Sequence, residues 1–378
     1  MKFTAIFTTL SAFAVAIVSG EVIPGQYIIS FDQTSRSSYE AQVASVTSLF
    51  TDRDGSNALL HMFNAAFYGV AVKLNPQTLE KVKTNPHVTK IEQDGIAKAI
   101  AIQSNAPWGL ARVGQRPKLG ASPYSYNHDD AGQGVTVFVL DTGVNISHDD
   151  FGGRATWGTN TAGGSDTDAH GHGTHCAGTI AGTTYGVAKK ANIIAVKVLD
   201  DDGYGSYSGI ISGIDWVVKH SAAKKVISMS LGGSKSDALN TAVNNAVNKD
   251  VVTVVAAGND NRDACNYSPS SAPAAITVGA TDINDKKASF SNYGKCVDIL
   301  APGVNILSTW KGSNTATNTI SGTSMACPHV AGLAATVLSQ GTSASGVDAK
   351  LKALATKNAI SGFNTATPNA LGFNGVSA

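Results

Sequence analysis

Four short stretches of the chain hold side chains able to move protons or attack a carbonyl. Asp141-Thr142-Gly143 follows the apolar run Gly134–Leu140. A carboxylate at the end of a buried strand is costly unless a partner compensates it; taken alone, the tripeptide serves equally well as a turn, a cap or a metal ligand. His170-Gly171-His172-Gly173-Thr174-His175-Cys176-Ala177-Gly178 brings three histidines close together. Zinc is one reading, but a metalloprotease helix needs two His one turn apart with a Glu between them, and no Glu is present. The small residues Gly173, Ala177 and Gly178 instead predict a helix start pressed against other backbone, with His172 at its exposed edge. A purely structural histidine is the competing reading.

The third stretch is Gly322-Thr323-Ser324-Met325-Ala326-Cys327-Pro328-His329-Val330-Ala331-Gly332. A Ser opening an apolar helix is usually a cap. Here small residues on both sides admit a substrate backbone, and Pro328 is expected within the first turn. Free N–H groups at the helix end would face a developing negative charge. Ala326 stands where the nucleophile elbow of α/β-hydrolases wants Gly. The fourth stretch, Ala256-Ala257-Gly258-Asn259, follows the apolar run Val251–Val255. Asn there is ordinarily a turn residue; as a donor, its amide would complete an oxyanion hole with the Ser324 N–H.

These groups need a scaffold. From Ala106 onward, the apolar runs Gly134–Leu140, Ile193–Val198, Val226–Met229 and Val251–Ala256 have strand length. Tyr207–Lys219 and Asp237–Val247 show helical spacing between them. Continuous apolar strands alternating with helices predict an α/β fold, a doubly wound, mostly parallel sheet with helices on both faces. In such sheets chemistry gathers at the carboxyl ends of strands, where Asp141 falls. Residues 21–100 read differently: strand Gln26–Phe31, helix Tyr39–Phe50, two strands over Leu59–Leu74, helix Leu79–Thr84 and strand Val88–Glu92. That order is a small α+β ferredoxin-like module. Residues 1–20, with Lys2, the apolar Phe3–Val18 and terminal Ser19-Gly20, have the layout of a signal peptide. The run is short and interrupted by Thr8, Thr9 and Ser11, which makes a poor membrane span.

Net charge is +1 and 15% of residues are charged. No basic stripe calls for nucleic acid, and no later run calls for a membrane. Four cysteines, Cys176, Cys265, Cys296 and Cys327, enter an oxidising compartment, and spacing alone leaves their pairing open. Asn145-Ile146-Ser147 and Asn266-Tyr267-Ser268 are glycosylation sequons.

The order Asp141, His172, Asn259, Ser324, with the motifs around them, resembles the subtilisin-like serine proteases, most closely their proteinase K branch. Asn105–Leu110, Ser230–Gly233 and Phe290–Gly294 resemble that branch too. The resemblance implies a secreted, monomeric serine endopeptidase of broad specificity acting on polypeptides. Asp141, His172 and Ser324 would be its triad, with Asn259 and the Ser324 N–H as the oxyanion hole. Substrate would lie as an extended strand between Gly203-Tyr204-Gly205 and Ser230-Leu231-Gly232. Ser230–Gly232 and Ala256–Gly258 would wall an uncharged S1 pocket for apolar or aromatic P1 residues, and Tyr207 and Leu231 would shape S4. Residues 21–100 would be an inhibitory propeptide, cut near Ile100–Ala101 to leave the peptidase domain 101–378. Catalysis would need no cofactor, but a structural Ca²⁺ is implied at Pro273, Ala275 and Asp298. The family's second calcium site lacks its acid, since no Asp follows Asp348. The resemblance also implies a Cys265–Cys296 disulfide and a free Cys176, and leaves Cys327 undecided.

Overall fold

The computed structural model describes residues 22–52, 54–95, 101–128 and 131–376. The expected leader, and Ile100 at the expected maturation point, lie outside the described residues. The chain divides into two compact units, Met1–Ala99 and Ile100–Ala378.

In the first unit, the strands Val22–Phe31, Ala58–Asn64, Tyr68–Lys73 and Val88–Gly95 form an antiparallel sheet. Its spatial order is second, third, first, fourth. Two helices complete the βαββαβ order. Tyr39–Thr47 starts where Ser38 accepts the N–H of Ala41; Pro76–Val82 starts where Asn75 accepts that of Thr78, with proline at the first helical position. Their apolar faces meet one face of the sheet around Ile29, Val43, Val46, Val70, Val72 and Ile91. The first helix stops short of the expected Phe50, because Leu49 and Phe50 turn back to the carbonyls of Val46 and Thr47.

The second unit is built on a nine-stranded sheet. From one edge its strands are Thr356–Lys357, Ala370–Leu371, Ile299–Pro302, Ile276–Thr281, Val251–Ala256, Lys225–Met229, Thr136–Asp141, Asn192–Lys197 and Ala155–Asn160. All neighbours run parallel except the first pair. Strand alternation sorts the core. Val137 and Val139 join the layer containing Ile180 and Val330, from helices His172–Ala181 and Thr323–Ser339. Phe138 and Leu140 join Ile214 and Val243, from helices Tyr207–Lys219 and Asp237–Val247. Helices therefore cover both faces. After Thr136–Asp141 the chain goes out to the edge strand Ala155–Asn160, returns as Asn192–Lys197 on the near side of Thr136–Asp141, and then crosses to Lys225–Met229 on its other side. This reversal opens a crevice at the carboxyl end of the strand that ends in Asp141.

Ala155–Asn160, Ile276–Thr281 and Ile299–Pro302 are strands that the apolar runs of the sequence do not announce. The first is polar, the second contains Gly279, and the third is four residues long and ends in proline. No helix among the described residues is long and apolar enough to cross a membrane.

Candidate active site

Asp141 ends its strand and is wholly buried. His172 is the first residue of helix His172–Ala181, entered through Gly171 at φ 98°. His172 Nδ1 lies 2.7 Å from Asp141 Oδ1, which also accepts the Thr142 N–H at 2.8 Å. The helix can approach this closely only because residue 173 is glycine: a Cβ there would stand 2.1 Å from Gly143 O.

Asp168, which lies outside the motifs of the sequence, ties these pieces together. Its Oδ1 accepts from Thr142 Oγ1 at 2.8 Å and from the Gly171 N–H at 2.7 Å. Its Oδ2 accepts from the Thr174 N–H at 2.8 Å and from Thr174 Oγ1 at 2.5 Å. One buried carboxylate thus satisfies amides that the helix start leaves unpaired, and sets negative charge at the positive helix end. It also links that helix to the turn after Asp141. The available signal was an Asp just upstream of a helix start. Burial alone would lower the pKa of His172; the charge and hydrogen bond of Asp141, with the charge of Asp168, outweigh it and raise the value above 6.5. An imidazole so held is a stronger base, oriented with Nε2 away from Asp141.

Ser324 is the second residue of helix Thr323–Ser339. Its N–H has no carbonyl behind it in the helix. Pro328 lies sixth in this helix, beyond the first turn where the sequence reading expected it. It cannot donate to the Ser324 carbonyl four residues back. That carbonyl instead accepts from Ser230 Oγ at 2.9 Å and from Cys176 Sγ at 3.4 Å, so the proline turns the helix end into a cross-link to two neighbouring elements. Ser324 Oγ donates to Ser230 O at 3.1 Å rather than to His172.

Asn259 Oδ1 accepts both the N–H and the hydroxyl of Thr323, at 2.8 and 2.9 Å, which leaves its Nδ2 for the cleft. The loop carrying Asn259 is latched by the wholly buried Asn292. Asn292 donates to Ala257 O at 2.9 Å and accepts the N–H groups of Asp260 and Arg262. A side chain at Gly258, whose φ is 102°, would strike Asn292.

His172, Ser324 and Asn259 line one cleft of about 600 Å³, with Asp141 behind the imidazole. The segments Gly203-Tyr204-Gly205, Ser230-Leu231-Gly232 and Ala256-Ala257-Gly258 line it too, as does Tyr207. Tyr207 is pinned by its hydroxyl to Ser234 O at 2.7 Å. His170, Asp202, Asp260 and Tyr267 also line it, none of them foreseen as substrate-facing.

Among the described residues the other histidines join no group able to hold a metal ion; the group of that kind is Asp141, His172 and Cys176. His175 turns Nε2 to the carbonyls of Ile306 and Asn318, and burial lowers its pKa to about 4. Cys176 and Cys327 are both free and buried, and burial raises both thiols, Cys327 to about 12. Cys265 and Cys296 form a disulfide. Asn145 spends its amide on Ser313 O at 3.1 Å, whereas Asn266 is exposed. Pro273 and Ala275 immediately precede the strand Ile276–Thr281, and Asp298 precedes its neighbour Ile299–Pro302. Asp298 as it stands does not fit a calcium ion, because both carboxylate oxygens already accept hydrogen bonds, from the Thr277 N–H and from Lys352.

Residues 132–375 match the subtilase family, and residues 26–99 match the peptidase inhibitor I9 family. A cuticle-degrading protease of Metarhizium anisopliae is 46% identical, over 94% of this chain and 90% of its own. An extracellular serine proteinase of a Thermus species is 45% identical, over 96% and 93%. A cuticle-degrading serine protease of Arthrobotrys oligospora is 48% identical, over 82% and 78%. Among solved structures, a cold-adapted subtilisin-like serine proteinase is 46% identical with a TM-score of 0.68, over 72% of this chain and 99% of that one. With this geometry and these relatives, the chain belongs to the subtilase family, as a subtilisin-like serine protease that carries an I9-type inhibitor segment.

Proposed function

We propose that this protease is a secreted endopeptidase in which Ser324 attacks the scissile carbonyl, His172 accepts its proton and Asp141 holds the imidazole. The observation that carries the reading is the 2.7 Å clamp of Asp141 on His172 Nδ1, which aims Nε2 into the cleft that Ser324 also lines. On substrate binding, Ser324 Oγ leaves Ser230 O and turns to Nε2; such contacts are often loose in free enzymes. The oxyanion lies between Asn259 Nδ2 and the Ser324 N–H, and His172 then protonates the leaving amine before water clears the acyl-enzyme.

Substrate pairs as an added strand with Gly203–Gly205 and Ser230–Gly232, so recognition is mostly through backbone and specificity is broad. The small, uncharged walls Ser230–Gly232 and Ala256–Gly258 favour apolar or aromatic P1 residues; Tyr207 and Leu231 shape S4. Residues 1–20 direct secretion, and residues 21–100 inhibit the enzyme until it cuts near Ile100–Ala101. The mature enzyme acts as a monomer on extracellular protein, in keeping with relatives named for cuticle degradation and for an extracellular location. Any glycan is carried at Asn266.

The test is hydrolysis of an apolar-P1 peptide by the secreted protein and by Ser324→Ala, with intact mass read in parallel. The parent should cleave and trim to about residue 101, and the variant should do neither, with kcat down by at least ~10⁴-fold. Cleavage by the variant would remove Ser324 as nucleophile and overturn the mechanism.

A further inference from the structure

At the amino ends of two neighbouring strands, Asp298 and Thr277 hold each other. The Asp298 N–H donates to Thr277 O, and Asp298 Oδ2 accepts the Thr277 N–H, both at 2.9 Å. The other carboxylate oxygen, Oδ1, accepts from Lys352 Nζ at 2.8 Å. Lys352 comes from the last turn of helix Val347–Leu354, and the same ammonium is held at 2.9 Å by Asp348 Oδ2, one turn earlier. The three side chains are 25%, 37% and 46% exposed for Asp298, Lys352 and Asp348. Two carboxylates therefore share one ammonium in a half-sheltered pocket.

We propose that Lys352 supplies, as a tethered side-chain cation, the positive charge that calcium would supply at Asp298, and that the intact chain takes no calcium there. Calcium asks for six to eight oxygens at about 2.3–2.6 Å, with its carboxylates free to turn both oxygens to the ion. Here each oxygen of Asp298 already accepts from a nitrogen donor. An ammonium at hydrogen-bonding distance also repels a divalent cation and cuts the local charge from two negatives to one. The substitution has a structural consequence. A bound ion would join only the groups that ligate it, whereas Lys352 joins Asp298 at the sheet to a helix packed on the long helix Thr323–Ser339.

The experiment is thermal unfolding of the mature protein, its serine blocked with a sulfonyl fluoride to stop autolysis, in excess EDTA and in excess calcium. The parent should melt within about 1 °C under both conditions. Lys352→Met leaves two carboxylates without their cation, and should gain a calcium-dependent rise of roughly 3 °C or more. Adding Asp298→Asn should erase that rise. Lys352→Gln serves as the second variant should the first fail to fold. A calcium response in the parent that Asp298→Asn removes would overturn the proposal, and so would a lysine variant that gains none. A parent response that survives Asp298→Asn belongs to another locus; it is subtracted, and the increment at Lys352 decides.

Discussion

His172 is gripped by two carboxylates that act differently. Asp141 contacts the ring at Nδ1, whereas Asp168 holds the helix end from which the ring projects. Both charges favour the imidazolium, and together they outweigh burial. On the proposed mechanism only neutral imidazole accepts the Ser324 proton, so kcat/KM for an apolar-P1 peptide should rise with pH about a midpoint above 6.5. Asp141→Asn should lower that midpoint as well as the plateau, and a profile peaking in the acid range would contradict the assignment. The same raised value makes the His172–Asp141 pair stabilising below 6.5 and less so as pH climbs through the folded pKa. On the proposed mechanism, activity should therefore rise as this contribution to stability fades. Asn259→Ala should lower kcat by about 100- to 1000-fold with little change in KM, as expected for a donor that meets charge only in the transition state. A loss confined to KM would place Asn259 in ground-state binding instead.

Elements are positioned here by missing atoms as much as by contacts. Gly173 lets a helix meet the Asp141 turn, and Pro328 frees the carbonyl through which Ser230 and Cys176 grip the Ser324 helix. Gly205 plays a similar part on the rim of the cleft: a Cβ there would stand 2.2 Å from Val198 O, against the strand's continuation. Gly205→Ala should push the Gly203–Gly205 segment outward. For peptides long enough to pair with it, KM should rise about tenfold, while a single-residue ester should be cleaved nearly as before. Equal losses on both substrates would mean that this edge does not bind the peptide backbone.

Across the whole second unit, the disulfide joins residues 31 apart in sequence. The bridged span contains Pro273, Ala275 and Asn292, the residue that latches the Asn259 loop. Replacing both Cys265 and Cys296 with Ser should lower stability by roughly 3–4 kcal/mol on the loop-closure model, read from the denaturant midpoint. The turnover of the protein that remains folded should change little, because Asn292 holds the Asn259 loop through its own hydrogen bonds. A fall in kcat without a fall in the midpoint would show that the bridge shapes the site rather than the fold.

Much of this was legible in residue order. The apolar runs announced the central strands because strands buried on both faces need apolar side chains on both. Asp141, His172, Asn259 and Ser324 were ambiguous singly, and their order along the chain, which matches the subtilisin order, marked them as the candidate set. The βαββαβ order of the first unit followed from its changes in periodicity and its Asn75-Pro76 helix start. Short or polar strands such as Ile299–Pro302 and Ala155–Asn160 escaped, because their pairing comes from neighbours already in place rather than from their own pattern. The roles of Asp168 and Asn292, the carbonyl freed by Pro328 and the meeting of Lys352 with Asp298 are long-range or geometric facts. Each depends on which donor reaches which acceptor after the chain has closed. One chain's composition and spacing determined the scaffold and the candidate reacting groups, because burial and reactivity belong to residue types. The partners that orient those groups, or displace an expected ion, were decided by packing alone, since a hydrogen bond exists only where the fold brings its two ends within reach.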